Sequence, residues 1–214
     1  MTLIFSEFIE KLKQQLAQSL PGEAAQYKMA SAQRKLPLRD YLAAAKNPMD
    51  SAVLVLLYPV NAKIYTVLML RPQEQGVHSG QVSFPGGKYE VTDGTFKNTA
   101  LREVGEEMGI ITEQVNIIGE LSPLYIPPSN FLVHPFVGYM TEKPVIQPSK
   151  DEVKQVIEAN IELLLDDTLK DRKIIEVRGY KIDTPFYNIY GNVVWGATAM
   201  ILSELEDLLR RIQH

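Results

Sequence analysis

Glu103, Glu106 and Glu107 stand at i, i+3 and i+4, a spacing that puts three carboxylates on one face of an α-helix. Leu101, Val104 and Met108 fall on the opposite side. Like charges at this spacing repel by roughly a few tenths of a kcal/mol per pair, so the arrangement asks for a compensating cation. A hard divalent ion that takes oxygen ligands supplies one. Arg102, beside Glu103, is placed to orient one carboxylate through a charge-assisted hydrogen bond while the others take metal. Gly109 follows the last apolar position and reads as the helix stop. Taken alone, ExxEE is read more simply as a solvated acidic face; the spacing around it argues otherwise.

Gly87, Asp93, Arg102, Glu103, Glu106, Glu107, Gly109 and Ile110 together resemble the Nudix box, G-x5-E-x7-R-E-U-x-E-E-x-G-U with U aliphatic. Asp93 replaces the first glutamate, and eight residues rather than seven separate it from Arg102. Both departures resemble the Nudix subfamily that hydrolyses coenzyme A. That subfamily also carries LLTxR followed by SxxLRxHxGQVSFPGG. Here Arg71, His78, Gly80, Gln81, Val82, Ser83, Phe84, Pro85, Gly86 and Gly87 match it, while Gly76 stands in place of its second arginine and Gln75 in place of its leucine. VWGATAMIL, from Val194 on, is similar as well.

The resemblance implies a Nudix fold, an α/β (α+β) arrangement with a mixed β-sheet sandwiched between helices. It implies metal-dependent hydrolysis of a nucleoside diphosphate derivative, with coenzyme A or its thioesters as substrate. The runner-up substrates are ADP-ribose, NADH or a nucleoside triphosphate, and the reading of another class is a non-catalytic nucleotide sensor. Mg2+ or Mn2+ is the implied cofactor, held by Glu103, Glu106, Glu107 and the Gly86 carbonyl. Arg102 orients Glu103, Asp93 fixes the turn against the helix, and Glu103 or Glu152 acts as base. Arg71, His78 and Gln81 are the implied substrate-binding residues, although a lone loop histidine is more often structural. A homodimer is common in the family.

Charge and composition bound the alternatives. The net charge is -4 and no run of five basic residues occurs, which argues against a nucleic acid polymer as partner. With 45% apolar and 22% charged residues the composition is ordinary for a globular chain. The absence of cysteine removes disulfides, thiolate metal sites and a cysteine nucleophile. MTLIFSEFIEKLKQQ lacks the apolar core of a signal peptide, and no window is long and apolar enough for a membrane span. The expected location is cytoplasmic.

The elements that must position these residues follow from periodicity. Ile4, Phe8, Ile9, Leu12 and Leu16 form a helical stripe ended by Pro21-Gly22, and a short helix is predicted over 39–46. Residues 1–49 are read as a helical extension packing on a catalytic domain at 50–214. Strands are predicted at 52–58 and 64–70 as a hairpin, then at 115–121 and 132–140 around a loop, SPLYIPPSN. Tyr125 and Phe131 border that loop and read either as base-stacking or as core residues. Ser149 to Glu152 fits a capping box that starts a helix; the family resemblance instead implies a strand here. A short helix at 161–165, strands at 174–177 and 184–189, and an amphipathic helix from Ala197 close the chain. Trp195 reads as its core anchor.

Overall fold

The computed structural model describes residues 4–34, 36–73, 80–177 and 179–213. It opens with helices α1 (Phe5–Leu16), α2 (Gly22–Gln26) and α3 (Leu38–Ala44). The stripe on α1 buries Phe8, Ile9 and Leu12, whereas Ile4 lies outside the helix and is exposed. Pro21-Gly22 does not end α1, which stops at Leu16; the pair opens α2 instead.

β1 (Met49–Val60) and β2 (Lys63–Leu70) form the predicted hairpin, but with longer strands. Asn61 and Ala62 both take left-handed backbone, so a two-residue turn suffices and Pro59 stays within β1. β3 (Val82–Ser83) and β4 (Gly86–Lys88) follow, then helix α4 (Phe96–Met108). Thr95 caps α4 by accepting from the Asn98 amide, and Gly109 ends it in the left-handed conformation.

Next come β5 (Asn116–Glu120), β6 (Leu124–Ile126) and β7 (Phe131–Tyr139). β6 falls inside the segment predicted as a loop, where three residues find partners on β7. β8 (Gln155–Asn160) settles the two readings of residues 149–160 for the strand. Ser149 makes only a turn, its carbonyl accepting from Val153, and pairing with β2 takes over. Ile161–Leu165 is a 3-10 helix. β9 (Lys170–Val177), β10 (Tyr180–Ile189), β11 (Asn192–Trp195) and helix α5 (Gly196–Gln213) complete the chain.

The main sheet runs β3-β2-β1-β7-β5, with β4 on β1, β6 on β7 and β8 on β2. Only the β1–β7 pairing is parallel, so the sheet is mixed. β9 to β11 form a separate three-stranded sheet. Alternation along β1 builds two cores. Leu54, Leu56 and Tyr58 face Val104 and Met108 of α4, while Val55 and Leu57 share the other core with α1 and α5. Each such side chain contributes roughly 1.5–3 kcal/mol.

One buried acid ties the first helices to the last. Glu204 on α5 is fully buried. It accepts from Gly22 N at 3.0 Å, Gln26 Nε2 at 3.0 Å, Ser122 N at 3.1 Å and Ser122 Oγ at 2.7 Å. Among the described residues no helix is long and apolar enough to cross a membrane.

Candidate active site

β4 delivers the glycine turn to the face of α4. Ala52 and Val53 of β1 pair with Gly87 and Gly86, so the turn is anchored to the centre of the sheet. A Cβ on Gly86 would lie 2.4 Å from the Ala52 carbonyl oxygen, and one on Gly87 2.4 Å from Glu103 Oε1. Both contacts are closer than any side chain tolerates. At Gly86 the obstacle is largely backbone, whereas at Gly87 it is the end of the Glu103 side chain, which packs directly on the glycine and would have to move to admit a Cβ.

The three glutamates share a helix but not an environment. Glu106 is exposed and Glu103 partly so, whereas Glu107 is only 2% exposed. Arg102 reaches Glu103 Oε1 and Glu106 Oε2, each at 2.9 Å from Nη1. Its Nε and Nη2 donate to the two oxygens of Asp93 at 2.8 and 3.2 Å. Asp93 also accepts from Glu90 N at 3.0 Å and Thr99 Oγ1 at 2.8 Å. This network, led by Arg102, holds the Asp93 carboxyl well below the usual carboxylate range. A short 3-10 turn, Val91–Asp93, presents the aspartate to this network, and the eight residues from Gly94 to Leu101 carry the chain from it to Arg102 on α4.

Glu107 is held differently. Its Oε2 accepts from Gly86 N at 2.8 Å and its Oε1 lies 3.2 Å from Arg71 Nη2. Arg71 also donates to the Gly86 carbonyl at 2.9 Å and to Ser83 Oγ at 3.2 Å. Burial is the largest influence on Glu107 and pushes its carboxyl up to about 7, against the opposing pull of Arg71 and the Gly86 amide. Burial also raises Glu103, against Arg102. The charge of Glu152, on the turn before β8, pushes both upward, so three acids act on one another.

Arg71 therefore does not stand open toward a substrate: its guanidinium is engaged by Glu107, Gly86 and Ser83. Its tie to Glu107 was not readable in the sequence, since the two residues belong to different elements. Gln81 leads into β3, its carbonyl accepting from Arg71 N at 3.0 Å. His78, Gly76 and Gln75 lie outside the described residues. Tyr125 is buried with its hydroxyl donating to Asn130 at 2.7 Å, and Phe131 packs partly buried against the core. Both are packing residues here, because β6 and the start of β7 pair with one another. Trp195 is only partly buried and does not serve as a sealed core anchor. With Leu70, Val82, Lys173, Ile175 and Val193 it lines a groove of about 450 Å³ bordered by the end of β2, β3, β9 and β11.

Comparison with known proteins fits this geometry. A family model described as the NUDIX domain matches residues 48–177. The chain belongs to the Nudix hydrolase family. A peroxisomal coenzyme A diphosphatase of Mus musculus is 34% identical over 128 residues, which cover 60% of this chain and 54% of that protein. A mitochondrial coenzyme A diphosphatase of Homo sapiens is 34% identical over 190 residues, covering 84% of this chain and 79% of that protein. An uncharacterized Nudix hydrolase of Photorhabdus laumondii is 30% identical, covering 70% and 80%. Among solved structures, the Nudix hydrolase RenU of M. smegmatis shares the fold, with a TM-score of 0.51 at 15% identity over 77% of this chain and 88% of that one.

Nudix hydrolases act on the diphosphate of small nucleotide derivatives, and this chain is a hydrolase of that class. They generally use divalent ions such as Mg2+ or Mn2+. Among the described residues no three acids or histidines already form a ligating group, because Arg102 engages Glu103 and Glu106 while Arg71 engages Glu107. The donor chemistry nonetheless fits such an ion: carboxylate oxygens that repel one another in a low-dielectric setting, next to a backbone carbonyl.

Proposed function

We propose that the chain hydrolyses the diphosphate of coenzyme A or its thioesters to 4'-phosphopantetheine, or its acyl form, and adenosine 3',5'-bisphosphate. The observation that carries this reading is the expanded box. Asp93 is bonded by Arg102 Nε at 2.8 Å across the eight residues that separate them, and relatives sharing the Nudix domain are named coenzyme A diphosphatases.

Glu103, Glu106, Glu107 and the Gly86 carbonyl are the residues that would hold Mg2+ or Mn2+. When bound, the ion neutralises the diphosphate and acidifies the attacking water. The protein's share is placement and proton transfer. Arg102, itself pinned by Asp93, fixes the angle of Glu103 so that its carboxylate faces the Gly87 backbone. Water adds to one phosphorus, its proton passes to Glu103 or Glu152, and the bond from that phosphorus to the bridging oxygen breaks.

The test is a panel of coenzyme A, acetyl-coenzyme A, ADP-ribose, NADH and a nucleoside triphosphate, incubated with the full chain and each metal and read by mass spectrometry. Fastest turnover of the coenzyme A compounds is expected. Rapid cleavage of ADP-ribose or NADH with coenzyme A intact would overturn the substrate and leave the hydrolase. Light scattering on the same preparation checks the homodimer.

A further inference from the structure

The Arg71 guanidinium touches two of the oxygens that the metal reading assigns to a cation. Nη2 donates to the Gly86 carbonyl at 2.9 Å and lies 3.2 Å from Glu107 Oε1. The other carboxylate oxygen of Glu107 is taken by Gly86 N. Glu107 and the Gly86 carbonyl, which would hold the ion, are therefore already engaged by the guanidinium, and two positive charges within a few Å in a buried setting repel strongly.

The other arginine of the site is differently built. Arg102 is fastened by two bonds to Asp93, which is not among the proposed ligands, so it keeps its place when Glu103 or Glu106 turns. Among the described residues, the remaining side-chain bond of Arg71 is to the Ser83 hydroxyl, at 3.2 Å. Its side chain is 29% exposed, which leaves it a way out.

We propose that Arg71 is an internal cation that exchanges with the divalent ion. With no ion bound it holds the carboxylate and the glycine carbonyl in register; on loading it is expelled, and the freed guanidinium turns toward a phosphate of the substrate. Arg71 is thus a positioning residue first and a phosphate-binding residue second, and ion binding precedes productive substrate binding. This inference rests on the metal reading of Glu107 and Gly86.

The test follows the side-chain N–H resonances of Arg71 in the full chain by NMR, assigned by their loss in Arg71→Lys, while Mg2+ is titrated. The backbone amide of Gly86 serves as an independent reporter of ion binding. Exchange predicts that the Arg71 signals move in step with Gly86 and that their hydrogen exchange with water accelerates about tenfold. A Gly86 shift with the Arg71 signals unmoved would overturn the exchange alone, leaving Arg71 a fixed strut and the metal reading intact. No response from either group would sink the metal reading and the exchange together. Should Arg71→Lys not fold, the distance from Arg71 Nη2 to Glu107 Oε1 in a crystal of the wild-type chain grown with Mn2+ decides: well beyond 3.2 Å supports exchange, unchanged overturns it.

Discussion

Glu107 and Glu204 are both carboxylates sealed from solvent on helices that pack against one sheet, and they are kept there by opposite means. Glu204 receives neutral donors from two separate segments, the two ends of α2 at Gly22 and Gln26 and the link between β5 and β6 at Ser122. Glu107 receives one amide and one guanidinium while two further acids, Glu103 and Glu152, push against it. A fully satisfied buried acid is a fastener. A buried acid surrounded by its own kind is poised for a cation or a proton, a pattern that clusters at functional sites.

Glu107→Gln separates the two roles most sharply. It keeps the shape and removes the charge, so turnover of the cleaved nucleotide falls on the order of 10²–10³-fold, with circular dichroism unchanged. An active variant would return Glu107 to the class of Glu204. The converse is Glu204→Ala, which leaves the Gly22 and Ser122 amides without their acceptor and costs about 3 kcal/mol of stability. Denaturant midpoints measure this, and kcat per folded molecule should stay at the wild-type value.

The pH dependence sharpens the contrast further. The Glu107 carboxyl rises from 4.5 unfolded to about 7 folded, so between those values the folded chain holds more protons than the unfolded one. Stability from this group is full below pH 4.5 and is lost as pH rises through 7, a fall of up to about 3 kcal/mol. Urea midpoints of the metal-free chain across that range should show the decline, and Glu107→Gln should make it shallower, leaving the part of the same sign that Glu103 contributes. A flat wild-type profile would contradict the burial argument.

Two smaller substitutions probe the surroundings of each acid. Gly87→Ala drives a methyl into Glu103 Oε1, now 2.4 Å from that Cβ position. Displacing the carboxylate by an ångström costs up to about 10²-fold in kcat, with little change in thermal midpoint. Ser122→Ala removes one donor from Glu204 and lowers stability by about 1 kcal/mol, read by calorimetry, with activity untouched.

Much of this site is written locally. The box helix follows from its own periodicity, from Thr95 as its cap and from Gly109 as its stop, all interactions within a few residues. The pairing of Arg102 with Glu103 is equally local. The continuous apolar runs at 52–58 and 64–70 likewise announce strands buried on both faces. Where local signals competed, the sequence was ambiguous. Ser149 offered a helix cap, and it lost to hydrogen bonds along β2 beginning at Leu70. β6 has weak strand character of its own and exists because β7 supplies its partners.

What the sequence determined by itself is therefore the acidic helix, the glycine turn before it and the family to which they belong. What only the tertiary structure decided is which glutamate is buried and what neutralises it. Helical periodicity places Glu106 and Glu107 side by side, but only the packing of α4 on β1 and β4 turns one to water and the other inward. Arg71 meets Glu107 because β2 ends beside the turn that β4 opens, a juxtaposition set by pairing between strands and invisible to any local pattern.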